Sequence, residues 1–213
     1  MKLYVYDHCP FSMRPRLIAG LKQCSMETII LPFSDQKTPI SYIGKKICPF
    51  LVLDSNQTKT ESLDLAFYLD SLIAPNILTT QSISQTCNDL IKTFLKTIVA
   101  LTAPQFITIP YPEFQTQNDI LPFQKREEEF IGHSLTKTEE KFTTYQTQID
   151  LFFIQAEQLL TSSLTKKTIQ LTCDECVLFA YFRNLLCVKD LDIPKKIKTF
   201  THILANQANI ALY

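Results

Sequence analysis

The sequence predicts a chain of two parts, an α/β domain followed by an all-α domain. The first third alternates short strand-like apolar runs with helical stretches, and the remainder repeats apolar residues at helical spacing. A polar, proline-containing stretch separates the two parts. The 213 residues suffice for two small domains. We expect their boundaries at 1–73 and 85–213, joined by a linker at about 74–84.

The first third of the chain is predicted to hold three strands and two helices. Short apolar, β-branched or aromatic runs place the strands at 2–6, 27–32 and 49–54. A helix at 10–21 has proline at its first position, where the missing N–H is no loss. Apolar residues at helical spacing indicate a second helix at 63–72. These elements fit a small sheet with helices on its faces.

The C-terminal part has no comparable strand signals. Apolar residues recur at helical spacing around 90–98, 149–160 and 177–185. The stretch 104–122 contains four prolines, and we expect an irregular loop between helices there.

Composition narrows the possible functions. Lys and Arg number 21, as do Asp and Glu, and this zero net charge argues against a nucleic-acid partner. No apolar run reaches the roughly 18–20 residues of a membrane span, and the N-terminus lacks a secretory signal. Seven cysteines, an odd number, then favour free thiols in a reducing compartment. We expect a cytoplasmic monomer or weak dimer with no membrane partner.

The motif Cys9-Pro10-Phe11-Ser12 directly follows the first predicted strand and opens the first predicted helix. A helix N-terminus has unpaired N–H groups and about half a positive charge, which favours the thiolate form of a cysteine there. Ser12 is expected to direct its hydroxyl and N–H towards the sulfur. A buried strand-end cysteine is the alternative, and this context disfavours it. We predict that Cys9 is a reactive thiolate.

The dipeptide Cys48-Pro49 stands at the entry to the third predicted strand. An X-Pro bond at this place is a candidate for the cis form, which most such bonds do not adopt. A cis-proline turn would leave the backbone of residue 48 free to pair with an extended peptide.

The segment Glu61-Ser62-Leu63-Asp64 begins the second predicted helix. Ser62 is suited as its N-cap, and Asp64 lies in the first turn. This pattern fits helix capping alone, and it also fits a helix N-terminus that binds a carboxylate. The two interpretations are compatible.

Together these motifs resemble the two-domain glutaredoxins of the glutaredoxin 2 type. The resemblance rests on Tyr-Asp-His-Cys-Pro-Phe at 6–11, on Pro49 and on Glu-Ser-x-Asp at 61–64. Leu-Phe at 178–179 and Arg-Asn-Leu at 183–185 resemble that family's second domain. The resemblance implies a thioredoxin-like N-terminal domain and a helical glutathione-transferase-like C-terminal domain. It also implies that the protein is a glutathione-dependent thiol-disulfide oxidoreductase.

The resemblance also implies residue roles. Cys9 is the implied nucleophile, with Ser12 as the second position of the catalytic motif. Pro49 is the implied cis-proline, and the Cys48 backbone pairs with the cysteinyl part of glutathione. Three further positions are implied to hold or flank the tripeptide: Phe11, Glu61 and Ser62. Glutathione is the expected co-substrate, glutathionylated proteins or small mixed disulfides are the expected partners, and no metal is expected.

One departure from the family pattern concerns Ser12, which replaces the second cysteine of Cys-Pro-Tyr-Cys. A hydroxyl cannot attack a mixed disulfide, so the usual resolving thiol is absent. We therefore expect monothiol chemistry at Cys9. Cys48 is the candidate for a replacement resolving thiol, and we favour the alternative that it is an ordinary side chain beside the site.

Cys-Pro-Phe-Ser also resembles the motifs of other proteins with this architecture. It is similar to the motif of dehydroascorbate reductases and close to that of omega-class glutathione transferases. These two activities are the alternative hypotheses for an enzyme. Chloride-intracellular-channel proteins share it too and provide a non-catalytic, membrane-interacting alternative. Iron–sulfur binding is known for monothiol glutaredoxins with Cys-Gly-Phe-Ser, and Pro10 in place of glycine disfavours it here.

The pair Cys173-x-x-Cys176 is a potential redox or zinc motif. No second ligand pair with suitable spacing accompanies it. Thr172 and Glu175 instead form a capping-box pattern, which predicts that both cysteines occupy the first turn of a helix.

Overall fold

The N-terminal part of the chain folds around a four-stranded sheet in a computed structural model that describes residues 1–161 and 169–213. The strand order is β2-β1-β3-β4. Strand β1 pairs in parallel with β2 and antiparallel with β3, and β3 pairs antiparallel with β4. The strands are β1 (Lys2–Val5), β2 (Glu27–Ile30), β3 (Phe50–Val52) and β4 (Thr58–Lys59).

Three helices accompany this sheet: α1 (Pro10–Leu21), α2 (Lys37–Ile43) and α3 (Ser62–Ser71). Successive residues of β1 point to opposite faces. Leu3 and Val5 are buried in one cluster with Leu65 of α3. Tyr4 points to the other face, where its ring stacks on Phe50 with centroids 4.5 Å apart. Tyr4 and Phe50 are buried in one cluster with Ala103 and Phe106 of the C-terminal part, so the sheet is covered on both sides.

The C-terminal part is helical. Its helices are α4 (Gln85–Phe106), α5 (Gln117–Ile131), α6 (Phe142–Gln158), α7 (Cys173–Leu185) and α8 (Lys195–Ala208), with short 3-10 helices at Pro112–Phe114 and Leu135–Lys141. Helix α7 is buried on nearly every side, and the middle of the helix, at 176–182, is an apolar and aromatic run that suits this position. It is the central helix of this part.

Helix α1 joins the two parts, because it packs against α3 on one side and against α7 and α8 on the other. Met13 and Leu17 of α1 belong to the same buried cluster as Val177 of α7. Gly20 permits the closest approach, since a Cβ at this position would overlap the carbonyl oxygen of Ala208 in α8. The helix that starts at Cys9 thus shares one core with the C-terminal part.

The predicted fold class, an α/β part followed by helices, is confirmed. The helix at 10–21 agrees at both ends, and the three strands and the helix at 63–72 appear with slightly different ends. The short elements α2 and β4 were not predicted, because seven and two residues are too few to show a periodicity.

The expected irregular loop at 104–122 is wrong at both ends, because the segment between the two helices is only 107–116 and contains the 3-10 helix at Pro112–Phe114. Helix α4 continues through Pro104 to Phe106, and α5 begins at Gln117 and contains Pro122. Each proline removes one backbone hydrogen bond near a helix end. Burial of Ala103, Phe106 and Phe123 accompanies these helical turns and offsets that loss.

Candidate active site

Cys9 is the N-cap residue of α1, with φ −75° and ψ 121°. Its carbonyl accepts the first helical hydrogen bond, from the Met13 N–H at 3.1 Å. Its side chain makes no capping hydrogen bond and is only partly buried. The sulfur therefore lies at the positive end of the helix dipole and remains accessible.

A cavity of about 580 Å³ opens at Cys9, between the sheet side of the molecule and the helical part. Its walls are mainly apolar. The side chains that define it include Tyr6, Phe11 and Phe33 from the first part and Leu95, Ile98 and Phe106 from α4. A substrate that reaches the sulfur is therefore enclosed by both parts of the chain.

Cys48 lines the same cavity as Cys9, and the Cys48–Pro49 peptide bond is cis, which confirms that prediction. Among the described residues, neither the N–H nor the C=O of Cys48 has a backbone partner. This backbone is thus available to an extended peptide. Burial and the neighbouring Cys9 raise the pKa of the Cys48 thiol to about 12, so Cys48 is a neutral thiol at pH 7.

Ser12 is fully buried in the first turn of α1. Its Oγ accepts a hydrogen bond from the Tyr6 N–H at 3.2 Å. No hydrogen bond joins Ser12 to the Cys9 sulfur in the part of the chain that the structure describes, contrary to the expected orientation of the hydroxyl. The serine instead ties the end of β1 to the helix that begins at the nucleophile.

Ser62 is the first residue of α3, not its N-cap, which corrects the sequence prediction. Glu61 is the N-cap, and its φ of 65° turns the chain into the helix one residue earlier than expected. The Ser62 Oγ accepts a hydrogen bond from Nη1 of Arg14 at 3.0 Å. Phe11 covers this arginine, whose Cζ lies 4.4 Å from the ring centroid.

His8, directly before the nucleophile, is buried and held by Glu113. Both its backbone N–H and its ring Nδ1 lie 2.8 Å from Oε1 of Glu113. The imidazole is surrounded by aromatic rings, with Phe114 nearest at 4.9 Å between centroids. Glu113 has no local sequence signal, because it lies in a short 3-10 helix within the stretch that we expected to be irregular.

Helix α7 supplies the other restraints on the segment before Cys9. Arg183 donates through Nη1 to the Asp7 carbonyl at 2.9 Å and through Nη2 to its carboxylate at 3.2 Å. Asn184 donates to the His8 carbonyl at 2.8 Å. Arg183 and Asn184 belong to the Arg-Asn-Leu motif that resembles the family, and in the structure they hold the segment before Cys9.

Asp7 is the centre of a buried ionic network. Besides Arg183, it contacts the guanidinium of Arg16 and accepts a hydrogen bond from the Tyr213 hydroxyl at 2.7 Å. Burial alone would raise the pKa of Asp7, but these three partners outweigh it and hold the pKa below its usual value.

Two cations from different parts of the chain flank the cavity. Nζ of Lys46 lies 4.9 Å and Cζ of Arg126 lies 5.0 Å from the ring centroid of Phe33. Arg126 also pairs with Glu127 of α5. Partial burial and the nearby Arg126 lower the pKa of Lys46. Two cationic groups thus lie against one wall, and one of them is paired with a carboxylate.

Cys173 and Cys176 occupy the first turn of α7, and the Thr172–Glu175 capping box is present, as predicted. Cys173 donates to the Thr80 carbonyl at 2.9 Å, and burial raises the pKa of Cys176 to about 12. Within residues 1–161 and 169–213, no group of three His, Cys, Asp or Glu side chains is arranged to hold a metal ion. Across the same residues, no helix is both long and apolar enough to span a bilayer.

Comparisons with known proteins agree with this architecture. Residues 86–213 match the family model for the C-terminal domain of glutaredoxin 2, and residues 3–76 match that for the N-terminal domain of glutathione S-transferase. Glutaredoxin 2 of Escherichia coli K12 is 27% identical over 212 residues, covering 100% of this chain and 97% of that protein.

Solved structures are similar over almost the full length. Glutaredoxin 2 of Salmonella typhimurium, determined in complex with glutathione, has a TM-score of 0.87 and 28% identity, covering 99% of this chain and 95% of that one. A glutathione S-transferase of Ceriporiopsis subvermispora has a TM-score of 0.70 at 16% identity, covering 98% and 94%, and shares the fold. With its C-terminal family model matched over more than half of its length, the chain belongs to the glutaredoxin 2 family.

Proposed function

We propose that this protein reduces glutathione mixed disulfides by a monothiol mechanism with Cys9 as its nucleophile. The protein is a glutathione-dependent thiol oxidoreductase, as its family membership indicates, and a non-catalytic role like that of chloride-intracellular-channel proteins is therefore not retained. The observation that carries the monothiol proposal is the position of Cys9. It caps α1 at an open cavity, while a buried serine occupies the position of the second thiol.

The proposed reaction has two thiol–disulfide exchanges. The Cys9 thiolate attacks the glutathione sulfur of the substrate, forming a Cys9–glutathione disulfide and releasing the substrate thiolate, which takes a proton from water. A second glutathione thiolate then attacks the glutathione sulfur bound to Cys9. This step releases glutathione disulfide and restores the Cys9 thiolate.

In this proposal, three groups of residues around the Cys9 sulfur bind and orient glutathione. Its cysteinyl backbone pairs with the free N–H and C=O of Cys48, beside the cis-Pro49 turn. Its γ-glutamyl end lies at the start of α3, at Glu61 and Ser62, with Phe11 alongside. Its glycyl carboxylate faces the two cations beside Phe33, Lys46 and Arg126.

The alternative enzymatic activities can be distinguished by the substrate on which the protein is fastest. Cleavage of a small glutathionyl mixed disulfide at a rate far above dehydroascorbate reduction or conjugation of a chlorinated aromatic supports the proposed activity. The reverse order of rates favours a dehydroascorbate reductase or an omega-like transferase. The apolar α4 wall of the cavity makes the conjugation assay a necessary comparison.

We further propose that the chain divides into domains at 1–73 and 85–213 and acts in the cytoplasm as a monomer or weak dimer. In the described part of the chain, the strands of the sheet all lie before residue 60, and α4 begins at Gln85, which supports the division. All seven cysteines are free thiols, which suits a reducing compartment.

Replacing Ser12 by cysteine is expected to add dithiol activity. Ser12 stands one helical turn after Cys9, so a thiol there is placed to resolve a mixed disulfide. We expect reduction of an intramolecular protein disulfide to rise at least about tenfold, while cleavage of a small glutathionyl disulfide changes less. Insulin reduction compared between wild type and Ser12→Cys measures this. Equal insulin rates would contradict the assignment of Ser12 to the resolving position.

Replacing Cys48 by serine is expected to leave glutathione-dependent turnover within about twofold of wild type. Its thiol is neutral because its pKa is about 12, and a neutral thiol is a poor attacking group. The steady-state rate with a glutathionyl disulfide tests this. A tenfold loss in Cys48→Ser would assign Cys48 to the exchange steps.

A further inference from the structure

Arg14 is a buried cation without a carboxylate partner. Only 7% of the residue is exposed, and no ion pair involves it in the described part of the chain. By contrast, the buried cations Lys22 and Arg183 pair with Asp70 and Asp7. Nε of Arg14 is buried and has no hydrogen-bond partner among the described residues.

An unpaired buried guanidinium is unfavourable, because it loses hydration without gaining a compensating charge. The exposed ring of Phe11 covers the guanidinium at 4.4 Å, and this contact offsets only part of that loss. An apolar side chain in this position would avoid the cost. The charge therefore indicates an anion that binds nearby.

The hydrogen bond from Arg14 to Ser62 gives the direction of that anion. The guanidinium can only donate, so the Ser62 Oγ accepts at 3.0 Å and its own proton must point elsewhere. Ser62 is the first residue of α3, where the free N–H groups of the helix also point outwards. Arg14 thus orients Ser62 as a donor and adds positive charge at one end of a ten-residue helix.

We infer that Arg14 is a positioning residue that selects thiols carrying a γ-glutamyl group, by orienting the Ser62 hydroxyl towards the α-carboxylate of that group. This inference rests on the proposed function, which places the γ-glutamyl end of glutathione at α3. Arg14 acts through Ser62 and does not contact the reacting sulfur atoms. It gives the site a preference for the tripeptide over shorter cysteine-containing thiols.

The test compares two mixed disulfides of 2-mercaptoethanol, one with glutathione and one with cysteinylglycine, which lacks the γ-glutamyl residue. The second-order rate at which reduced full-length protein acquires either group on Cys9 is followed by intact mass. Wild type is expected to prefer the glutathionyl disulfide. Arg14→Met is expected to slow that reaction about tenfold or more, the usual value of a charge-assisted hydrogen bond, and to change the cysteinylglycyl reaction less than about twofold.

Lys46→Met is the matched control, since it also removes one positive charge near the site. Both disulfides retain the glycyl carboxylate, so this variant should slow both by the same factor and preserve the preference. Ser62→Ala should lose the preference as Arg14→Met does, and adding Arg14→Met to it should have little further effect. If Arg14→Met does not fold, the inference is tested by whether Ser62→Ala loses the preference for the glutathionyl disulfide.

Three results separate the two proposals. If wild type acquires neither group on Cys9, the proposed function is wrong. If wild type reacts without a preference for the glutathionyl disulfide, the inference is wrong and the proposed function stands. The same holds if Arg14→Met, or Ser62→Ala in its place, keeps the preference.

Discussion

Replacing Cys9 by serine should reduce turnover of a glutathionyl mixed disulfide by a factor on the order of 10³ or more. Both exchange steps pass through the Cys9 sulfur, and a serine hydroxyl cannot form the mixed disulfide. Cys48, the other thiol in the cavity, is held neutral by burial. The measurement is the steady-state rate coupled to reduction of glutathione disulfide.

The control for this variant is Cys24→Ser. Cys24 is also partly exposed, and its thiol donates to the Leu69 carbonyl at 3.7 Å, away from the cavity. This variant should keep wild-type turnover. If Cys9→Ser retained more than a tenth of the wild-type rate, another thiol would carry the reaction and the assignment of the nucleophile would have to be abandoned.

Replacing Arg183 by methionine should lower the free energy of unfolding by about 3–5 kcal/mol, the usual cost of removing one partner of a buried ion pair. The substitution leaves the Asp7 carbonyl and the Ala211 carbonyl without their donors, which lie at 2.9 and 3.0 Å. It also leaves the Asp7 carboxylate with Arg16 and Tyr213 alone. Urea denaturation at pH 7 measures the loss.

Acidification should reveal the same network. Because the pKa of Asp7 is lowered in the folded protein, the unfolded chain binds this proton at higher pH than the folded one. The stabilisation is therefore complete above about pH 4, the ordinary range of an aspartate, and is lost as the pH falls through the folded value. Arg183→Met should show a smaller acid-dependent loss than wild type.

Lys92→Met serves as the control for Arg183→Met. Lys92 is exposed on α4, so its replacement should change the free energy of unfolding by less than about 0.5 kcal/mol. If Arg183→Met cost less than 1 kcal/mol, the Asp7 network would not contribute appreciably to holding the two parts of the chain together.

The local features of the site were accessible from the sequence. A strand signal, a cysteine and a proline at a helix start together predicted the position of Cys9 at the beginning of α1. The same kind of local pattern predicted the first turn of α7. These predictions succeed because they depend on neighbouring residues and on the orphan N–H groups of a helix end.

The contacts between residues far apart in the chain could not be predicted from the sequence. Glu113 follows His8 by 105 residues, and Arg183 follows Asp7 by 176, so no spacing rule connects them. The N-cap rule for serine also failed, because Glu61 adopts a positive φ that only the folded surroundings hold in place. The position of Ser62 relative to Arg14 depends on that local backbone.

The close approach of α1 and α8 at Gly20 has a consequence for what this position can accept. Where a methyl group would already collide with Ala208, neither helix can slide or rotate past the other without repacking. Any larger residue at 20 would push α8 away from the helix that Cys9 caps, although position 20 lies about three helical turns from the sulfur.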